Sequence, residues 1–109
     1  MFDLARFNIA QFEESAGRAA ALLRLLSNER RLMILCQLIG GDLSVGTLQG
    51  RLGLSQSALS QHLARLRADR IVATRREGQT IFYRIIDPAA LHLLETLADL
   101  FCPPDMRQG

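Results

Sequence analysis

The stretch 44–69 constrains this chain more than any other. Ser44 opens a short helical segment, 45–52, which Gly53 closes, and Ser55 opens a second, 56–69, almost at once. A serine oxygen just ahead of a helix satisfies free backbone N–H groups of its first turn. Glycine adopts the left-handed conformation that ends one. A link as short as Gly53-Leu54-Ser55 sets the two helices at an angle, as in a helix-turn-helix. The second helix separates its faces sharply. At about 100° per residue, Leu59, Leu63 and Leu66 share one narrow arc. Ser57, Gln61, Ala64 and Ala68 fall on the opposite arc, with Ser60 and Arg65 on its flanks.

One side of this helix must pack inward, while the other presents small, hydrogen-bonding groups with almost no bulk. Such a face fits a major groove about 12 Å wide. Glutamine can read adenine through two hydrogen bonds, and serine can approach either base. Arginine can reach guanine or phosphate. The candidate DNA contacts on this helix are therefore Gln56, Ser57, Ser60, Gln61 and Arg65. His62, at the edge of the apolar arc, suits a structural or phosphate-contacting role. An ordinary solvated helix face is rich in Glu and Lys, and 56–69 contains neither.

The remainder of the chain supplies a scaffold. Phe12, Ala16, Ala19, Leu23 and Leu26 recur at three- and four-residue steps and predict an amphipathic helix over 9–26. Ser27-Asn28 interrupts it and caps a second helix, 29–39, with Leu32, Leu35, Leu38 and Ile39 inward and a stop at Gly40-Gly41. Beyond the helix-turn-helix, 71–76 and 80–85 are β-rich runs around Glu77-Gly78-Gln79, which predicts a hairpin. Arg75, Arg76, Gln79 and Thr80 cluster at its tip, where they can meet phosphates or the minor groove. Of Phe82 and Tyr83, at alternating strand positions, at least one is expected to anchor in the core. Asp87-Pro88 starts a last helix, with Asp as cap and Pro at the first helical position, running to about Cys102 before Pro103-Pro104. The expected fold is mostly α with a β-hairpin wing. This is a winged helix-turn-helix in the order α-α-α-α-β-β-α, one domain over 1–109, with the helix-turn-helix at 44–69 and the wing at 71–85.

Composition and charge narrow the function. Apolar residues make up 49% of the chain and aromatics 6%. The apolar surplus sits in the end helices, 9–26 and 88–102, and implies a homodimer through them. Residues 51–84 hold seven Arg against two acids, +5, while the rest of the chain stands at −3. A basic half on an acidic half suits a protein that lays one face on a polyanion. With no signal-like start and no apolar run of membrane length, the chain is expected to be soluble and cytoplasmic, without a membrane partner. Its two cysteines, Cys36 and Cys102, are then expected to stay reduced, as buried thiols or as reactive ones. Neither has a base beside it in sequence and there is no Cys-x-x-Cys, so an enzyme is not expected.

Over roughly 22–102 the chain resembles the ArsR/SmtB family of winged-helix transcriptional repressors. The likeness rests on Arg31-Leu32-Met33-Ile34-Leu35, Leu43-Ser44-Val45-Gly46-Thr47-Leu48 and the Arg75-Arg76-Glu77-Gly78-Gln79 wing. Its most specific stretch is Leu54-Ser55-Gln56-Ser57-Ala58-Leu59-Ser60-Gln61-His62-Leu63. The resemblance implies a dimer built from the first and last helices, bound to double-stranded operator DNA and released by an inducer. Many relatives sense metals. Their Cys-x-Cys site falls here on Ser44 and Gly46, neither a soft ligand. Their site of Asp, two His and Glu on the last helix has only His92 and Glu95 in this sequence. No metal and no cofactor is expected. The Cys36 and Cys102 pair is similar to the dithiol, persulfide-sensing subgroup (BigR- and SqrR-like, with likeness also to HlyU). That resemblance implies that the two cysteines of one subunit join in a disulfide or polysulfide, after which the operator is released. The local setting pulls the other way. Cys36 shares a face with Leu32 and Ile39, and Cys102 ends a helix, and both placements disfavour a thiolate. The alternative is a repressor or antirepressor answering a metal ion or reactive oxygen species, with the cysteines structural.

Overall fold

Each helix among the described residues begins at a polar side chain that holds its first turn. The computed structural model describes residues 8–101. The elements are α1 (Ile9–Leu26), α2 (Glu29–Leu38), β1 (Leu43–Ser44), α3 (Val45–Leu52), α4 (Gln56–Ala68), β2 (Val72–Glu77), β3 (Thr80–Ile85) and α5 (Pro88–Phe101). Asn8 accepts from the Gln11 amide, and Asn28 from those of Arg30 and Arg31. Ser44 caps α3 through the Thr47 amide at 3.1 Å, and Ser55 caps α4 through that of Ala58 at 3.1 Å. Asp87 accepts from the amides of Ala89 and Ala90 and starts α5. The α3–α4 link turns at Gly53, whose φ of 66° lies in the left-handed region that glycine enters without a side-chain clash.

The sheet has one strand more than sequence periodicity announces. β2 and β3 form the expected antiparallel hairpin, in register from Val72 opposite Ile85 to Glu77 opposite Thr80. The two-residue β1 adds to the other edge of β3, with Leu43 opposite Tyr83 and Ser44 opposite Phe82, giving the order β1-β3-β2. Ser44 thus pairs with the wing and caps α3, so the root of the hairpin is tied to the start of the helix-turn-helix.

The core is wholly apolar among the described residues. Leu25 and Leu26 of α1 meet Ile34, Leu35 and Leu38 of α2 and Leu48 of α3. Leu59, Leu63 and Leu66 of α4 join them, with Ile71, Val72, Ala90 and Leu94. The inner arc expected for α4 is therefore the buried one. Tyr83 packs against this cluster, while Phe82 is half-buried on the other face of β3. The face expected for α1 needs correction. Leu26 is buried, but Phe12 is 47% and Leu23 59% exposed, and Leu25 takes the inward place. Helical periodicity marks which residues need cover without saying what covers them. The last helix is expected to reach residue 102, and Cys102 lies outside the described residues.

Candidate nucleic-acid interface

The outer face of α4 is assembled from small polar groups. Gln56, Ser57, Ser60, Gln61, Ala64 and Arg65 are all exposed, and the three leucines behind them are buried. The inner face fixes the helix by apolar burial, worth roughly 1.5–3 kcal/mol for each leucine, so the outer face needs no bulk for stability. Asp69, the acid at the end of α4, is bound to the Arg65 guanidinium at 2.8 Å. This leaves the outer arc neutral, with hydroxyl and amide groups facing solvent.

His62 sits half-buried between that face and the core. Its pKa is lowered below the ordinary 6.5, first by burial and then by the positive charges of Arg31 and Arg30. A base whose folded pKa is depressed binds fewer protons folded than unfolded, so stability falls as pH drops through 6.5 and below. The drop in melting temperature between pH 7.5 and 5.5 should therefore be smaller in His62→Gln than in the wild type. Equal drops in both proteins would remove His62 from the acid response.

The wing residues divide into two kinds. Gln79, Thr80 and Arg76 are exposed, and Arg76 donates to the Gly78 carbonyl at 3.0 Å, bracing the turn. Arg75 is held within the chain. Its guanidinium lies 4.6 Å over the Phe82 ring, reaches the Asp42 carboxylate at 3.3 Å and pairs with Glu77. Of the three arginines singled out from sequence, two, Arg65 and Arg75, thus already have carboxylate partners. Charge counting along a sequence cannot register this, because Asp42 lies far from Arg75 in the chain.

Two residues that the sequence does not mark as DNA contacts, Arg67 and Tyr83, stand beside this face. Arg67 follows Ser60 by two helical turns and so occupies the same flank of α4. It lines a hollow of about 500 Å³ together with Ser60, Ala64, Val45 and Tyr83. The seven-residue spacing from Ser60 was the available signal for Arg67; Tyr83 gave none beyond its strand position.

Cys36 is half-buried on α2, packed against the core beside Leu32 and Ile39. α2 also packs against α5, the helix that leads toward Cys102. Among the described residues, no three His, Cys, Asp or Glu side chains gather as a metal ion requires, and no helix is long and apolar enough to cross a membrane.

Residues 28–74 match the family described as "Bacterial regulatory protein, arsR family". The chain is 49% identical to the transcriptional activator HlyU of Vibrio cholerae over 98 residues, covering 90% of this chain and 91% of that one. The solved structure of reduced HlyU from Vibrio cholerae superposes with a TM-score of 0.81 at 50% identity, covering 84% of this chain and 97% of that chain. The transcriptional repressor BigR from Xylella fastidiosa superposes with a TM-score of 0.82 at 41% identity, covering 88% and 98%. All three span the helix-turn-helix and the wing.

Proposed function

Because the chain belongs to the arsR family of bacterial regulatory proteins, we propose that it is a homodimeric repressor that leaves its operator when Cys36 and Cys102 are cross-linked. DNA binding and transcriptional regulation come with the family and the winged helix-turn-helix. The observation that carries the reading is the outer face of α4. Gln56, Ser57, Ser60 and Gln61 are the groups we assign to base edges. Arg65, His62, Arg76, Gln79 and Thr80 are assigned to the flanking backbone, with Arg75 bracing the wing. As a repressor it excludes other proteins from the DNA it covers. The Xylella relative is a repressor and the Vibrio relative an activator, so the sign of control depends on what else the promoter binds.

The paired state is supported by apolar side chains left exposed among the described residues. Leu100 is 70% and Phe101 79% exposed on α5, and Leu23 is 59% exposed on α1. Clusters of this kind mark association surfaces. A two-fold dimer sets two reading helices about 34–36 Å apart, one turn of DNA.

The switch is supported by the placement of Cys36 on the helix that packs against α5, and by a Vibrio relative described in a reduced form. With a low-molecular-weight persulfide as oxidant the chemistry balances. Two cysteine thiols and one persulfide give a protein disulfide, a free thiol and hydrogen sulfide. A bridge with one more sulfur consumes a second persulfide and releases a second thiol. Either bridge ties α2 to the end of α5 and biases the spacing of the two reading helices, a coupling of about 1–3 kcal/mol being typical of such control.

Fluorescence anisotropy on a duplex from upstream of the chain's own gene tests this. Reduced protein should bind, and glutathione persulfide should release the wild type but not Cys36→Ser or Cys102→Ser. Release of all three proteins alike would leave the repressor standing and return the cysteines to packing.

A further inference from the structure

We propose that the hollow between α4 and the sheet is the seat of one DNA phosphodiester strand, with Arg67 supplying the charge and the Tyr83 and Ser60 hydroxyls supplying neutral hydrogen bonds. The inference rests on DNA binding by the outer face of α4 and adds a site to it.

Consider first which cations are available to a polyanion. Arg65 is paired with Asp69, Arg75 with Asp42 and Glu77, Arg51 donates to Gln37, and Arg31 donates to the Leu25 carbonyl. Arg67 differs from these. Its exposed guanidinium has no hydrogen bond, ion pair or ring contact among the described residues. A phosphate that meets Arg67 has no internal carboxylate to displace.

The surroundings fit a strand rather than a base. Arg67 and Ser60 share one flank of α4, and the hollow of about 500 Å³ runs from them to Val45 and Tyr83. Leu63, Ala64, Ala68 and Val45 complete its lining, and none of them carries charge that would repel a backbone. Tyr83 packs its ring against the core, which fixes the hydroxyl, and that hydroxyl has no protein partner among the described residues. The reading face of α4 lies on one side of the hollow and the wing strand on the other. A strand leaving the major groove read by Ser57 and Gln61 passes over this gap toward the wing tip. Phosphates carry no sequence information, so these contacts set register and orientation only.

The test measures affinity by anisotropy from 0.05 to 0.4 M salt, on the upstream duplex and on a random-sequence duplex of equal length. Each neutralised phosphate contributes about 0.9 to the slope of log K against log salt. Arg67→Gln should lower the slope by about 0.9 per engaged protomer, roughly eightfold in affinity at 0.1 M relative to 1 M salt, on both duplexes alike. Arg67→Lys should restore the slope. Tyr83→Phe should weaken binding a few-fold with no change in slope, since the ring that packs in the core is kept. A wild-type slope in Arg67→Gln overturns the phosphate seat. So does a loss confined to the upstream duplex, which would make Arg67 a base reader. A wild type that binds neither duplex overturns the DNA-binding reading itself, which keeps the two failures apart.

Discussion

Ala64→Glu lowers affinity for the upstream duplex at least about a hundredfold while the melting temperature stays within about 4 °C of wild type. Ala64 is exposed at the centre of the outer arc of α4, between Gln61 and Ala68. Alanine and glutamate are both good helix formers, and no buried group is touched, so the fold is indifferent to the change. The groove is not. A carboxylate here enters a space walled by phosphates and must give up water for base edges that are mainly acceptors. Placing like charges together across an interface costs several kcal/mol, and a hundredfold is about 2.7 kcal/mol. Ala64→Gln separates bulk from charge, since it has nearly the same size without the charge and should lose much less. Anisotropy for binding and circular dichroism for melting decide the matter. Affinity within about threefold of wild type in Ala64→Glu would move the reading face off this arc.

What could be read from the sequence is what is local. The serine caps at 44 and 55, the glycine turn at 53 and the three leucines of α4 act within a few residues, and each appears in the structure where its neighbours predict it. β1 escaped because two residues carry no period, and its partner strand lies some forty positions further on. The inward face of α1 was half misread for a different reason. Leu23 is spaced as buried residues are, yet the core of the described residues does not reach it. Periodicity reports a need for cover and is silent on which molecule gives it. The arginines show a third limit. Their number along 51–84 could be counted from sequence, but their availability depends on pairing with the near neighbours Asp69 and Glu77 and with Asp42, which only the folded chain brings to Arg75.

Leu66→Ala should destabilise the protein by about 2–5 kcal/mol and lower the melting temperature by roughly 10–20 °C. Leu66 is fully buried at the last turn of α4, and its carbonyl accepts from the Ile71 amide where the chain turns toward the wing. Truncation opens a cavity in the apolar core that Leu66 shares with Ile71 and Val72. Against a total stability of about 5–15 kcal/mol for a chain of this length, that runs from about an eighth to the whole. Leu100→Ala is the informative contrast. Within one chain Leu100 is mostly exposed, so a monomer should lose no more than about 0.5 kcal/mol. In the proposed homodimer the same side chain would gain cover from a second copy, and the loss becomes larger and dependent on protein concentration. Melting each variant at two concentrations tenfold apart therefore reads both surfaces at once. A small effect of Leu66→Ala would deny that the inner face of α4 is core. A concentration-independent melt with an unaltered Leu100→Ala would deny that α5 is an interface. In the homodimer proposed above the reading face needs both surfaces, since α4 is held by its leucines and its spacing from a second α4 would be set by the end helices.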